Sequence, residues 1–252
     1  MPRFYVAPEQ LRGKEFVLLG TEARHAALVL RKKTGDILDL FDGKNLSFQG
    51  RIDFIGSDRI EGAILSQSQA VRSSLERLVL CQALIKGPRW DWLVEKACEI
   101  GVTMLVPVLT ARTVVKPARV AALDRWRRIA LAASKQCGRG EVMGISEPKS
   151  FAEIMTSLPE NGLALLPWEK EATNTIHQAM QGGLASKPSS LSELSRTVSL
   201  FIGPEGGWDS QEVDLAVRHG AIPVSLGPTL LRSETAGLVA ATLVLRERGF
   251  YS

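Results

Sequence analysis

The stretch LFIGPEGGWDSQEVDLA, Leu200 to Ala216, decides how the rest of the chain is read. Its apolar entry predicts a strand, its glycines a corner, and its exit an amphipathic helix. Gly203, Gly206 and Gly207 allow positive φ and let a ligand approach the main chain. Asp209 and Glu212 have capping-box spacing, Val213, Ala216 and Val217 supply a buried stripe, and Gly220 ends the helix. Such junctions commonly cradle phosphate. This one carries Glu205 and lacks the lysine of a P-loop. The GxGxxG spacing of a dinucleotide turn is absent too, and the corner lies near the C-terminus. A ligand that is cationic, or read through backbone groups, fits the carboxylate better than a phosphate does.

Downstream, LGPTLLRSETAG (Leu226–Gly237) repeats the pattern of a Gly-Pro turn just after a strand. Ser233 is placed to cap a last helix running to about Arg248, with Arg232 at the mouth of the junction. Ala236, Leu238, Val239, Ala240, Leu243 and Val244 make that helix apolar nearly all round, so it is buried deeply or partly against a second subunit. Two Gly-Pro turns at neighbouring strand ends mark the place where open α/β sheets bind ligands.

Working back from these stretches, strand and helix patterns alternate from Leu78. The apolar runs LVLCQALI, MLVPVLT, LALLPW, VSLFIG and IPVSLG read as strands. Trp90, Leu93, Val94, Ala97 and Cys98 mark one face of a helix. Val120, Leu123, Trp126, Ile129, Ala130, Ala133 and Cys137 mark another, with arginines opposite. This rhythm predicts an α/β domain with a parallel sheet over 73–252. Residues 1–72 read instead as five short strands and one helix around Glu22–Arg31, a small β-barrel, with hairpin corners at Asp42-Gly43 and Gly56–Asp58. Ser66–Arg77 reads as a linker and Gly182–Ser195 as a surface loop.

Composition sets the outer bounds. With 252 residues, 45% hydrophobic and 23% charged, the chain has the make-up of a folded, soluble protein. It has neither an apolar run of membrane-spanning length nor a secretory leader, which predicts a cytoplasmic protein. Three dispersed cysteines and three dispersed histidines argue against disulfides and a structural metal; the cysteines read as buried packing and the histidines as structural or surface residues. Net charge is +4, but Arg112, Lys116, Arg119, Arg125, Arg127, Arg128, Lys135 and Arg139 cluster against one acid, Asp124. Such a cluster is either a nucleic-acid footprint or a solvated helix face.

The pair FIGPEGGW and LGPTLLRSETA closely resembles the C-terminal motifs of SPOUT methyltransferases, and within them the family that methylates N3 of a uridine in 16S ribosomal RNA. RFYVAP, RHAALVLRKKTGD and FDG resemble that family's N-terminal PUA-like barrel. KGPRWDWLVEKACEIGV resembles its first catalytic strand and helix, and ASKQCGRG its EQxxR-type segment. In that last segment Lys135 stands where the family usually has glutamate. The resemblance implies a C-terminal trefoil knot, a homodimer, and S-adenosylmethionine bound in a pocket of three loops. Its implied contacts are Leu166, Pro167, Trp168 and Glu169; Ile202, Gly203, Pro204, Glu205, Gly206 and Gly207; then Leu226, Gly227, Pro228, Leu230, Leu231, Arg232, Thr235 and Ala236. Arg232 is the expected holder of the uridine anion or its phosphate, and Glu234 or Glu205 the expected base. RNA contacts are expected at Arg3, Arg24, Arg31, Lys32 and Lys33, with Arg112, Arg125, Arg128 and Arg139 extending the track. Two other classes remain as alternatives: an RNA-binding assembly factor that keeps the fold without catalysis, and a nicotinamide-dependent enzyme.

Overall fold

The computed structural model describes residues 2–69, 77–114, 120–159, 162–184 and 197–251. The boundary at 72/73, residues 70–76 of the expected linker, Lys116 and Arg119, and residues 185–195 of the expected loop lie outside them. The chain forms two compact units. One is Met1–Ser73 with Leu131–Val142, and the other is Ser74–Ala130 with Met143–Ser252.

The first unit contains β1 (Arg3–Tyr5), β2 (Leu11–Arg12), β3 (Glu15–Leu19), α1 (Gly20–Arg24), β4 (Ile37–Phe41), β5 (Leu46–Ile55) and β6 (Arg59–Gln69). The predicted helix is present, but its second half, His25–Val29, is a π-helical turn. One sheet runs β1-β4-β5-β6-β3-β2. Its pairings are antiparallel except β1 with β4. Both hairpin corners stand where Gly and Asp place them; at the first, Asp42 Oδ1 accepts from the amides of Lys44 (2.7 Å) and Leu46 (3.0 Å). Phe4, Phe16, Leu18, Leu38, Leu40, Ile52 and Ile60 fill the core. Ser66–Gln69 are not linker: they extend β6 by pairing with Leu46–Gln49. Ladder hydrogen bonds stabilise this polar stretch where side-chain burial does not.

Residues 131–142 belong with this unit because its backbone and charges hold them. The Arg3 guanidinium donates to the carbonyls of Gly138 (2.5 Å) and Arg139 (3.1 Å). The Asn45 amide donates to the Gly140 carbonyl at 3.0 Å. Lys135 Nζ lies 2.7 Å from Glu22 Oε1 and 2.9 Å from Oε2, and both side chains are largely buried. The cation at position 135 is thus matched by an acid on α1.

The second unit contains β7 (Leu78–Ala83), α2 (Pro88–Ile100), β8 (Met104–Leu109), α3 (Val120–Cys137, its last turns counted with the first unit), β9 (Gly144–Ile145), β10 (Lys149–Ser150), α4 (Phe151–Thr156), β11 (Leu163–Pro167), α5 (Ile176–Leu184), β12 (Val198–Ile202), α6 (Ser210–Arg218), β13 (Ile222–Val224) and α7 (Ser233–Glu247). The sheet order is β10-β8-β7-β12-β11-β13, with β9 also on β8, and every pairing is parallel. Each long apolar run is a strand; β12 is buried at every position. Three readings are corrected. Val217 is 50% exposed, because the stripe of α6 that reaches the core is only Val213 and Ala216. Cys137 is exposed at the end of α3, whereas Cys81 and Cys98 are buried, and burial pushes the Cys81 thiol up to about 12. Gly182–Leu184 are the last turn of α5 rather than loop.

Candidate functional site

Strands β12, β11 and β13 are neighbours, so the loops leaving their carboxyl ends meet. Between these loops lies a cleft of about 540 Å³. Trp208 fastens two of the walls together. Its Nε1 donates to the Pro167 carbonyl at 3.0 Å, and the buried indole packs 4.9 Å from the Phe151 ring. Gly203 makes room for it, since a Cβ there would lie 3.2 Å from the indole. Gly203 and Gly206 do not adopt positive φ; among the three corner glycines only Gly207 does, at 70°. A Cβ on Gly207 would also lie 2.9 Å from Glu169 Oε1.

Arg112 secures the same corner from outside the cleft. It donates to the Gly206 carbonyl at 2.9 Å and to Asp209 Oδ2 at 3.2 Å. Asp209 and Glu212 then close the expected capping box on α6. Ser233 does not cap α7. Arg232 occupies the cap position, and the Ser233 hydroxyl reaches back to donate to the Gly203 carbonyl at 2.5 Å.

The charges of the cleft are mostly negative. Glu169, Glu171 and Glu205 line it, and Arg232 is the single basic residue among the described lining residues. Hydrogen bonds from the Asn174 amide and from the Thr173 amide and hydroxyl hold the Glu171 carboxyl below its ordinary value. Glu205 is answered by Arg89, whose Nη2 lies 2.8 Å from Oε1. Arg89 Nη1 also lies 3.6 Å from Oε1 of Glu234, a carboxylate only 7% exposed. Arg89 sits in the first turn of α2, where the helix dipole opposes a cation; two carboxylates offset that. Glu234 Oε2 is buried with no hydrogen-bond partner among the described residues. Arg232 is exposed and makes no ion pair among the described residues. The cleft therefore offers backbone groups, apolar walls from Ile202, Leu226 and Leu231, and a carboxylate rim. Among the described lining residues there is no cradle of cations for phosphate.

Comparison with known proteins agrees with this chemistry. Residues 72–245 match the RNA methyltransferase domain family, and residues 18–65 match the RNA methyltransferase PUA domain. A ribosomal RNA small subunit methyltransferase E from Synechocystis is 30% identical over 242 residues, covering 94% of this chain and 75% of its own. One from Bacillus subtilis is 25% identical over 252 residues, covering 97% and 96%. The chain belongs to the ribosomal RNA small subunit methyltransferase E family. A solved member, from Neisseria gonorrhoeae and bound to S-adenosyl methionine, is 30% identical with a TM-score of 0.82, over 98% of this chain and 97% of that one.

For a methyltransferase E chain, most of the expected cofactor contacts stand together. Pro167, Trp168, Glu169, Ile202 to Gly207, Leu226, Gly227, Pro228, Leu230, Leu231, Arg232 and Ala236 all line the cleft. Leu166 does not; β11 turns its side chain into the core, where it is fully buried. Thr235 and Glu234 also stand off the cleft, because the turn of α7 that faces it presents Arg232, Ser233 and Ala236. Glu171, Trp208, Ser225, Thr229 and Ser233 line it without having been expected as contacts. Arg89 was missed as well. Its signal was Gly87-Pro88, a third Gly-Pro turn after a strand.

The expected RNA-contacting residues are scattered in their commitments. Arg3 is tied to the 138–139 carbonyls and to Ser47 Oγ (2.8 Å), and burial lowers its pKa, with Asp39 opposing. Arg24 pairs with Asp58 at 2.9 Å, and Lys32 Nζ donates to the Ile37 carbonyl at 3.1 Å. Arg31 and Lys33 are exposed. Arg139 is half-buried, and its amide donates to the Ser134 carbonyl at 3.1 Å. Arg125 pairs with Asp91, and Arg128 donates to the Asp124 carbonyl at 3.3 Å. The three histidines stand away from the cleft lining.

Proposed function

We propose that this protein methylates N3 of a specific uridine in 16S ribosomal RNA of the small subunit, using S-adenosylmethionine. The observation that carries the reading is the cleft itself: three strand-end loops, an acidic rim and one uncommitted arginine, in a chain of this family. The residues present fit the cofactor. Backbone groups of Gly203–Gly207 and Leu226–Pro228 suit an adenine edge, and Glu169 and Glu205 suit a cationic ligand. When bound, S-adenosylmethionine supplies a methyl carbon activated by its sulfonium.

The chain supplies position and charge. Uracil N3 carries an imide proton, which must leave as the N–C bond forms. Arg232, free at the cleft mouth, holds the resulting anion at a carbonyl oxygen or grips the adjoining phosphate. Aligning N3 with the methyl carbon is a positioning task for the same loops. Of the two expected bases, Glu205 lines the cleft and is the proposed proton acceptor, while Glu234, off the cleft, acts through Arg89, which it holds beside Glu205. The target uridine is flipped out of its stack to reach the cleft.

Residues 1–72 form a PUA-like barrel that grips RNA through Arg24, Arg31, Lys32 and Lys33. Arg3 and Arg139 shape that surface. Residues 73–252 form the SPOUT domain, with a C-terminal trefoil knot. The enzyme works as a cytoplasmic homodimer, with the partly exposed apolar residues of α7 contributing to the interface. The test is incubation with methyl-labelled S-adenosylmethionine and unmodified small subunits, followed by nucleoside mass spectrometry. Label in 3-methyluridine, lost in Arg232→Ala, is expected. Label in another nucleoside overturns the substrate. A folded protein that neither binds cofactor nor transfers label is an RNA-binding assembly factor instead.

A further inference from the structure

Gln82 lies fully buried near the end of β7, in a strand otherwise apolar. A buried amide is tolerated only where its hydrogen bonds are made. Gln82 Nε2 donates to Ser233 Oγ at 2.8 Å, and that hydroxyl donates to the carbonyl of Gly203, first glycine of the cleft corner. Gln82 Oε1 has no hydrogen-bond partner among the described residues. An unsatisfied buried oxygen lowers stability, so an apolar residue would suit the strand better.

A second locally unfavourable choice meets it. Gly237 lies inside α7, where glycine is a weaker helix former than alanine. A methyl group there would overlap Gln82 Oε1. Helix α7 gives up stability at 237 to admit a side chain that itself carries an unpaired oxygen. Both choices make sense if the link from Gln82 through Ser233 to Gly203 is what is kept.

We infer that Gln82, seated by Gly237, is a positioning residue for the cofactor cleft. It sets the spacing between the Gly203 corner and the first turn of α7, two walls of the cleft, before the ligand arrives. This rests on reading the cleft as the S-adenosylmethionine site. Gln82 touches neither the uridine nor the reacting atoms, so its loss weakens cofactor binding and spares the transfer step.

Calorimetric titration with S-adenosylmethionine and steady-state kinetics on small subunits test this in Gln82→Ala, Gly237→Ala and the double variant. Each single change is expected to raise cofactor Kd and KM about tenfold, with kcat within about twofold and KM for the RNA unchanged. In the double variant alanine at 237 meets no long side chain, so it binds cofactor no worse than Gln82→Ala alone. Additive losses, or a fall in kcat at constant cofactor KM, overturn the inference. If Gln82→Ala does not fold, Gln82→Met keeps the volume without the donor and is judged the same way. Ala236→Trp fills the cleft and serves as the control. Binding lost there but intact in Gln82→Ala and Gly237→Ala overturns the positioning role alone. Binding intact in Ala236→Trp overturns the cleft reading and the positioning role together.

Discussion

The first unit and the cleft of the second treat particular polar groups in opposite ways. In the first, Lys135 answers Glu22, Arg24 answers Asp58, and Arg3 reaches two carbonyls and a hydroxyl. Around the cleft of the second, Glu234 Oε2 and Gln82 Oε1 are buried without hydrogen-bond partners, and Arg232 makes no ion pair, among the described residues. Native proteins leave few buried polar atoms unsatisfied, and perturbed or unmatched groups gather where a ligand is handled. The contrast separates polar groups that folding itself satisfies from groups beside the cleft that it leaves open.

Substitutions on either side can break that contrast. Arg232→Ala is expected to lower kcat/KM by about 100- to 1,000-fold, the scale of losing one charge-stabilising donor, with melting temperature and cofactor Kd nearly unchanged. A comparable loss of stability would place Arg232 with the structural residues. Lys135→Met should do the reverse, costing about 2 kcal/mol in denaturant unfolding by leaving the Glu22 carboxylate unanswered, with cofactor affinity intact. Gly207→Ala forces a side chain into positive φ and against Glu169, which costs about 1–2 kcal/mol; it should appear in cofactor titration. Arg24→Ala removes an exposed pair and should shift stability by less than about 0.5 kcal/mol. Smallest is the pH effect of Glu171. Its folded pKa is lowered from 4.5, so its contribution is present above that value and fades as pH falls through the folded pKa. Denaturant unfolding should therefore show no difference in pH dependence between Glu171→Gln and the parent through neutral pH, and a small one only under acid.

What was legible in the sequence was local. Asp209 and Glu212 announce the start of α6 because a cap is made by neighbours in the chain. The five buried strands announce themselves by unbroken apolar runs. The glycine corner was recognisable, yet only Gly207 uses positive φ, and Gly203 serves another end: it admits Trp208, whose indole reaches the Pro167 carbonyl on β11. Arg89 and Gln82 were not legible, because their partners lie more than a hundred residues away and no spacing rule connects them. The same holds for residues 131–142, whose helical pattern continues from 120 without a break while their contacts are with the first unit.

The pairing of β7 with β12 sets when this protein can acquire its activity. It joins Leu78–Gln82 to Val198–Ile202, about 120 residues apart, while β4, β5 and β6 pair across short turns. Local hairpins form early, and distant pairings wait. At a synthesis rate of about 5–20 residues per second, β7 leaves the ribosome roughly 6–24 seconds before its partner. Through that interval an apolar strand has no neighbour on that side, and two of the cleft's three loops, those that follow β12 and β13, have yet to be made. A nascent chain therefore acquires its sheet core and its binding pocket together, only once the stretch from Val198 to Ala236 has emerged.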